Sequence, residues 1–189
     1  MRRLQVEAVL IPRQLGPSTW RHLAGRLVDF VTSRALTLDE QAEAQARLRA
    51  GEVIPFFGQP VADLRHALTC ARDVASSYPQ REDLIRAALL HDVGKRHAGL
   101  GAMGRIAVTA WAKLGGPTRG RAGAYVRHGE VGALELEEAG AEILVVDFAR
   151  HHHGQRPVSI TEEDWVVLQA ADRAKVRRKS KDRSPERGR

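Results

Sequence analysis

Apolar residues recur along most of this chain at intervals of three and four, the spacing of helices with one buried face. Only Leu4 to Ile11 approaches strict alternation, and it reads equally as a short strand, a helix or an extended arm. Thr37-Leu38-Asp39-Glu40 has the form of a capping box, in which a threonine and a glutamate satisfy each other's backbone amides. It predicts a helix rich in Ala, Gln and Arg that stops near Gly51. Pro60 suits the first turn of a second helix, which VADLRHALTCARDVASS carries to a break at Tyr78-Pro79. REDLIRAALLHDVGK predicts a third helix and Met103 to Leu114 a fourth, followed by a loop over GGPTRGRAG, Gly115 to Gly123. Helices resume over His128 to Ala139 and Ala141 to His152, divided by Gly140. The last begins at Thr161, where Thr161-Glu162-Glu163-Asp164 repeats the capping form. No internal repeat is visible, and the expected fold is all-α.

A chain of 189 residues supports one well-buried domain and not two. With 43% hydrophobic and only 5% aromatic residues, the core must be built of Leu, Val, Ile and Ala, which agrees with helices. The longest apolar stretches, Ala87 to Leu90 and Ile143 to Val146, fall far short of the roughly 18 residues of a membrane span. Glu7 and Pro12 interrupt the N-terminal apolar patch before it can serve as a secretory core. Cys70 is the single cysteine and cannot form an intrachain disulfide. Together these features predict a cytoplasmic protein with no membrane association.

The formal charge of +7 suggests nucleic acid until it is located. Arg173 to Arg189 holds nine Lys or Arg and two acidic residues, which accounts for all of it and leaves the body neutral. This tail, RAKVRRKSKDRSPERGR, is expected to be disordered and solvated; a salt-sensitive contact with nucleic acid is the less favoured reading.

The candidate chemistry lies in His66, His91 with Asp92, His128, the run His151-His152-His153, and Asp172. They are separated by 25 residues (His66 to His91), 36 (Asp92 to His128), 24 (His128 to His152) and 20 (His152 to Asp172), so each falls on a different predicted helix. Helices of a bundle that converge on a metal and contribute one or two side chains apiece have this arrangement. Imidazole and carboxylate ligands suit divalent Mn, Fe, Ni, Zn or Co, and ligand type alone does not choose among them. The CxxC and HxxxH spacings of zinc fingers are absent.

The order H…HD…H…HH…D, with LLHDVGK around the central pair and ADRA around the last aspartate, resembles the HD-domain superfamily of metal-dependent phosphohydrolases over roughly Phe56 to Lys175. HDVGK is similar to the HDIG subgroup signature, and HGEVGA from His128 to its HSxxGA phrase. The resemblance implies a first metal held by His66, His91, Asp92 and Asp172. It implies that His128 and His152 are the additional histidines of two-metal members, with Asp92 bridging. His153 is either a further ligand or a donor to substrate phosphate, and the register among His151, His152 and His153 is open by one position. The resemblance also implies that Lys95 pairs with a phosphate oxygen, and that Asp92, Lys95 and His128 are the catalytic set. Arg119, Arg121 and Arg127 are candidates to clamp further phosphates, because a guanidinium matches phosphate bidentately. His22 and His97 match nothing in the pattern. The cyclic-dinucleotide phosphodiesterases of the superfamily carry a Glu and a GYP phrase where this chain has Gly154-Gln155-Arg156-Pro157, so cyclic di-GMP is not implied.

The expectation is therefore an all-α HD-domain bundle over residues 56–176, with an N-terminal helical extension over 1–55 and a disordered basic tail over 177–189. The extension is placed to cover the site or to form a dimer surface. The expected activity is hydrolysis, by metal-activated water, of a phosphomonoester or phosphodiester in a small phosphorylated, nucleotide-like substrate. Two divalent ions per chain, from Mn, Fe, Ni, Zn, Co or Mg, would serve it. The rival readings are a one-metal nucleotidase and a non-catalytic nucleotide- or RNA-binding module with a structural metal.

Overall fold

Nine α-helices and two short 3-10 segments build residues 33–173, the part of the chain that the computed structural model describes, and no strand occurs among them. In chain order they are α1 (Leu38–Gln45), a 3-10 segment (Ala50–Glu52), α2 (Val53–Phe57), α3 (Val61–Ser77) and α4 (Glu82–Leu90). A second 3-10 segment (Val93–Ala98) leads to α5 (Ala102–Lys113), α6 (Gly120–Val126), α7 (His128–Glu138), α8 (Ile143–His151) and α9 (Glu162–Arg173). Leu4 to Ile11, His22 and the basic tail over 177–189 lie outside the described residues, as does most of the N-terminal extension. Among the described residues no helix is long and apolar enough to cross a membrane.

α4 is the centre of the bundle: every residue from Leu84 to Leu90 is buried, all of them apolar except Arg86, which pairs with Glu52 and Glu142. A helix buried on all sides must be surrounded, and α3, α8 and α9 pack around it. Leu68, Leu84, Leu89, Phe148 and Leu168 fill the space between them. α7 packs on α8 and on the second 3-10 segment, which brings the far side of the molecule to the C-terminal end of α4.

Three boundaries differ from the sequence pattern, each through a close backbone approach or a left-handed residue. The helix expected over REDLIRAALLHDVGK ends at Leu90, and the chain tightens into the 3-10 segment. There Gly94 lies so near α7 that a Cβ would stand 1.9 Å from His128 O and 2.6 Å from Gly132 N. The first helix stops at Gln45 rather than near Gly51, because Gly51 serves a close contact with the Ala139 carbonyl, 2.5 Å from where its Cβ would be. Half of the loop expected over GGPTRGRAG is helical, since Gly120, at φ +54, turns the chain into α6.

The capping box at Thr37 is complete: Glu40 N donates to Thr37 Oγ1 at 3.2 Å and Thr37 N donates to Glu40 Oε2 at 2.9 Å. At Thr161 only half forms, because Asp164 directs its carboxylate to Arg81 at 3.0 and 3.2 Å. The hydrogen bond from Arg65, with that from Thr37 N, lowers the Glu40 pKa to about 2 from the ordinary 4.5. A depressed carboxylate contributes stability above its unfolded pKa and loses it as pH falls through the folded value. Glu40→Gln is therefore expected to cost about 1 kcal/mol at neutral pH. That deficit should shrink progressively below pH 4.5, as urea unfolding at several pH values would read; a constant deficit would contradict the assignment.

Candidate metal centre

Three histidines reach the end of α4 with their rings fixed in the same way. His91 Nδ1 lies 2.9 Å from Ala88 O, His128 Nδ1 2.7 Å from Tyr125 O, and His152 Nδ1 2.8 Å from Ala149 O. A carbonyl only accepts, so Nδ1 carries the proton and, in the neutral ring, Nε2 keeps its lone pair. All three Nε2 atoms point at carboxylates: His128 and His152 approach Asp92 Oδ1 at 3.2 and 3.3 Å, and His91 lies 3.4 Å from Asp92 Oδ2 and 3.3 Å from Asp172 Oδ1. His66, from the middle of α3, brings its Nε2 to 3.2 Å from Asp172 Oδ1 on α9.

The groups sort into two sets that meet at Asp92. Ligand atoms of His66, His91 and Asp92 lie within 4.8 Å of one another, and so do those of Asp92, His128, His152 and His153. Asp172 touches both histidines of the first set. One Asp92 oxygen faces His91, while the other faces His128 and His152. Close packing makes this possible: a Cβ on Gly129 would stand 2.8 Å from Ala149 O, so α7 and α8 approach closely beside His128 and His152.

These residues fit a divalent cation. His91 Nε2 and Asp92 Oδ1 are enclosed by protein yet make no proper hydrogen bond, and buried polar atoms without partners call for an explanation. The Nε2 atoms of His128 and His152 are 3.3 Å apart, a repulsive meeting of lone pairs unless a proton or cation intervenes. Burial opposes charge on Asp92, but Lys95 and His91, with the approach of His128 and His152, outweigh it and hold its carboxyl well below the usual range. Burial likewise opposes charge on Asp172, and His66 and His91 overcome it in the same direction. At His91 burial is outweighed by the Asp92 and Asp172 carboxylates, which raise the imidazole to about 10. The centre holds ionised carboxylates and attracts positive charge.

The remaining expected residues are placed as follows. Lys95 is buried and its ammonium pairs with Asp92 Oδ2, one turn back along the chain, so its partner in this structure is the carboxylate and not open solvent. His153 is exposed beside the second set, its ring centroid 3.9 Å from that of His152. Desolvation against its neighbours, reinforced by His152 and His128, lowers its pKa and keeps it neutral. His151 ends α8, outside both sets. Arg119, Arg121 and Arg127 are all exposed; Arg121 donates to Ala98 O at 2.9 Å, and the other two flank α6. His97 pairs with Glu135 at 2.9 Å.

Three contributors carry no motif signal. Gln169 Nε2 donates to His152 O at 2.5 Å, tying the helix that bears Asp172 to the second histidine set. Cys70, one turn after His66, lies 3.6 Å from its ring, and burial, with Asp172 and Asp92, pushes the thiol well up so that it stays protonated. The pair Asp63 and Arg105 is described below. Lys95→Met would leave Asp92 without its buried ammonium, which in the metal-free protein is expected to cost about 3 kcal/mol. Added Mn²⁺ should restore more stability to this variant than to the parent in thermal denaturation, and an unchanged metal-free melting point would contradict the pairing.

The HD domain family matches residues 64–181, more than half of the chain. No curated protein and no solved structure matches it. The matched span contains both ligand sets, from His66 to Asp172. The protein therefore belongs to the HD-domain family, whose members typically bind divalent metals and act as metal-dependent hydrolases.

Proposed function

We propose that this protein is a phosphohydrolase of the HDIG-like kind that cleaves a phosphomonoester or phosphodiester of a small nucleotide-like substrate in the cytoplasm. Two divalent cations would share Asp92. The observation that carries this reading is the meeting of two ligand sets at opposite oxygens of one buried carboxylate. His66, His91, Asp92 and Asp172 would hold one ion, and Asp92, His128 and His152, with His153 at the edge, the other. Bound there, divalent cations neutralise phosphoryl oxygens and lower the pKa of water toward about 7, which supplies a nucleophile at neutral pH.

The chain's own side chains do the rest. The three carbonyl-bound imidazoles are oriented in advance, so little ordering is left to complete the site once His91 gives up the proton that the carboxylates hold on it. Lys95 keeps Asp92 ionised. His153, neutral and exposed, is available to accept a hydrogen bond from a protonated phosphate or to complete the second set. The three exposed arginines around α6 are the assigned contacts for further phosphates. The domain is assigned to residues 56–176, with the extension and the basic tail outside the catalytic bundle.

Elemental analysis of untagged protein is expected to find about two ions per parent chain, about one in His152→Ala and nearly none in Asp92→Ala. Asp92→Ala should also reduce hydrolysis of nucleotide and phosphodiester panels to background. Retention of full turnover in Asp92→Ala would sink the reading, and a single ion in the parent would reduce it to the one-metal form.

A further inference from the structure

Arg105 is the one side chain that α5 buries. Its guanidinium forks onto Asp63 at 2.8 and 2.7 Å, both residues are buried, and its Nε donates to Leu100 O at 3.0 Å. Its Cζ stands 5.8 Å from the centre of the Tyr125 ring in α6. Tyr125 in turn supplies the carbonyl that holds His128 Nδ1, and its ring lies 5.9 Å from the imidazole at a 31° tilt. Asp63 sits one turn before His66 on α3. A continuous set of contacts thus runs from the helix of the first ligand set to the orienting carbonyl of the second.

The other two fixed histidines need no such help. Ala88 and Ala149 belong to α4 and α8, the helices that His91 and His152 directly follow, so each ring is set by rigid local backbone. Tyr125 belongs to a different helix from His128, and Arg127 between them is non-helical at φ −99, ψ 21. α6 itself has seven residues and buries only Gly123. Something outside α6 must hold the Tyr125 carbonyl in place. A buried fork restrains direction as well as distance, whereas apolar contact would anchor α5 without fixing its orientation.

We propose that Arg105 is a positioning residue: by locking α5 to Asp63 and packing on Tyr125, it holds His128 in the Nδ1-protonated form with Nε2 toward Asp92. Its catalytic consequence rests on the hydrolase reading above; the orientation of His128 does not. Two variants of the full chain test it. Arg105→Lys keeps the charge and loses the fork, and the double variant Asp63→Leu with Arg105→Met replaces the pair by apolar groups, which preserves folding where a lone buried charge would not.

Imidazole ¹H–¹⁵N spectra of the metal-free proteins read the tautomers directly. In the variants His128 is expected to lose its single Nδ1–H form while His152 keeps its own. Mn²⁺ titration should then show one class of sites weakened about tenfold or more and the other changed by less than about twofold. A folded variant in which His128 keeps its tautomer overturns the proposal, as does equal weakening of both classes; if Arg105→Lys does not fold, the double variant decides. Loss of the His128 tautomer in variants of a parent that hydrolyses no phosphate ester would support the positioning role and count against the hydrolase reading alone.

Discussion

Asp92 is a carboxylate held inside protein, with 1% of its surface exposed. Taking one such charge out of water costs several kcal/mol even after the surroundings relax, so everything around it must supply compensating charge. The Lys95 ammonium, the proton that two carboxylates keep on His91, and the approaching imidazoles of His128 and His152 all do so. The end of α4, the 3-10 segment, α7 and the turn after α8 therefore converge on one side chain, and their convergence sets the arrangement of the bundle's end.

Packing makes that convergence possible. α4 runs through the core, buried on every side from Leu84 to Leu90, and it delivers Asp92 from its C-terminal end. Gly94, Gly129 and Gly132 then let three backbones approach to distances that a Cβ would forbid. Gly94 and Gly132 face each other across the 3-10 segment and α7, and Gly129 brings α7 onto the end of α8. The glycines of HDVGK and HGEVGA thus bring Asp92, His128 and His152 within ligand distance of one another. None of these three requires a left-handed backbone; what they provide is the missing side chain.

The histidines divide by the source of their orienting carbonyl. His91 and His152 inherit theirs from the ends of α4 and α8, and rigid helices make those tautomers a local property. His128 borrows from α6, a short helix with little buried surface. The buried pair of Asp63 and Arg105 supplies from a distance what local backbone supplies elsewhere. The second ligand set thereby depends on α5 and on α6, the helix that carries or adjoins the exposed arginines proposed to meet substrate. A site whose second half is held by a less embedded module can couple substrate contact to ligand geometry.

Much of this protein was legible from its residues. Helical periodicity, capping at Thr37 and the wide spacing of His66, His91, Asp92, His128, His152 and Asp172 were enough to predict an all-α bundle with those side chains drawn together, because helical period and side-chain chemistry are local properties. Helix ends at Gln45 and Leu90, and the start of α6 inside a glycine-rich run, were not, because close contacts between distant backbones decided them. The register of the three histidines also waited on the fold: only the turn after α8 brings His152 inward, leaves His153 at the edge and sets His151 outside both sets. Lys95, expected at a substrate phosphate, pairs with Asp92 in this structure, a contact that no local pattern announces, and Arg105 carried no signal, since nothing local distinguishes a buried arginine from a solvated one. Sequence alone determined which chemical groups the helices carry; tertiary structure decided which oxygen faces which imidazole, because that depends on distances between segments that no local pattern encodes.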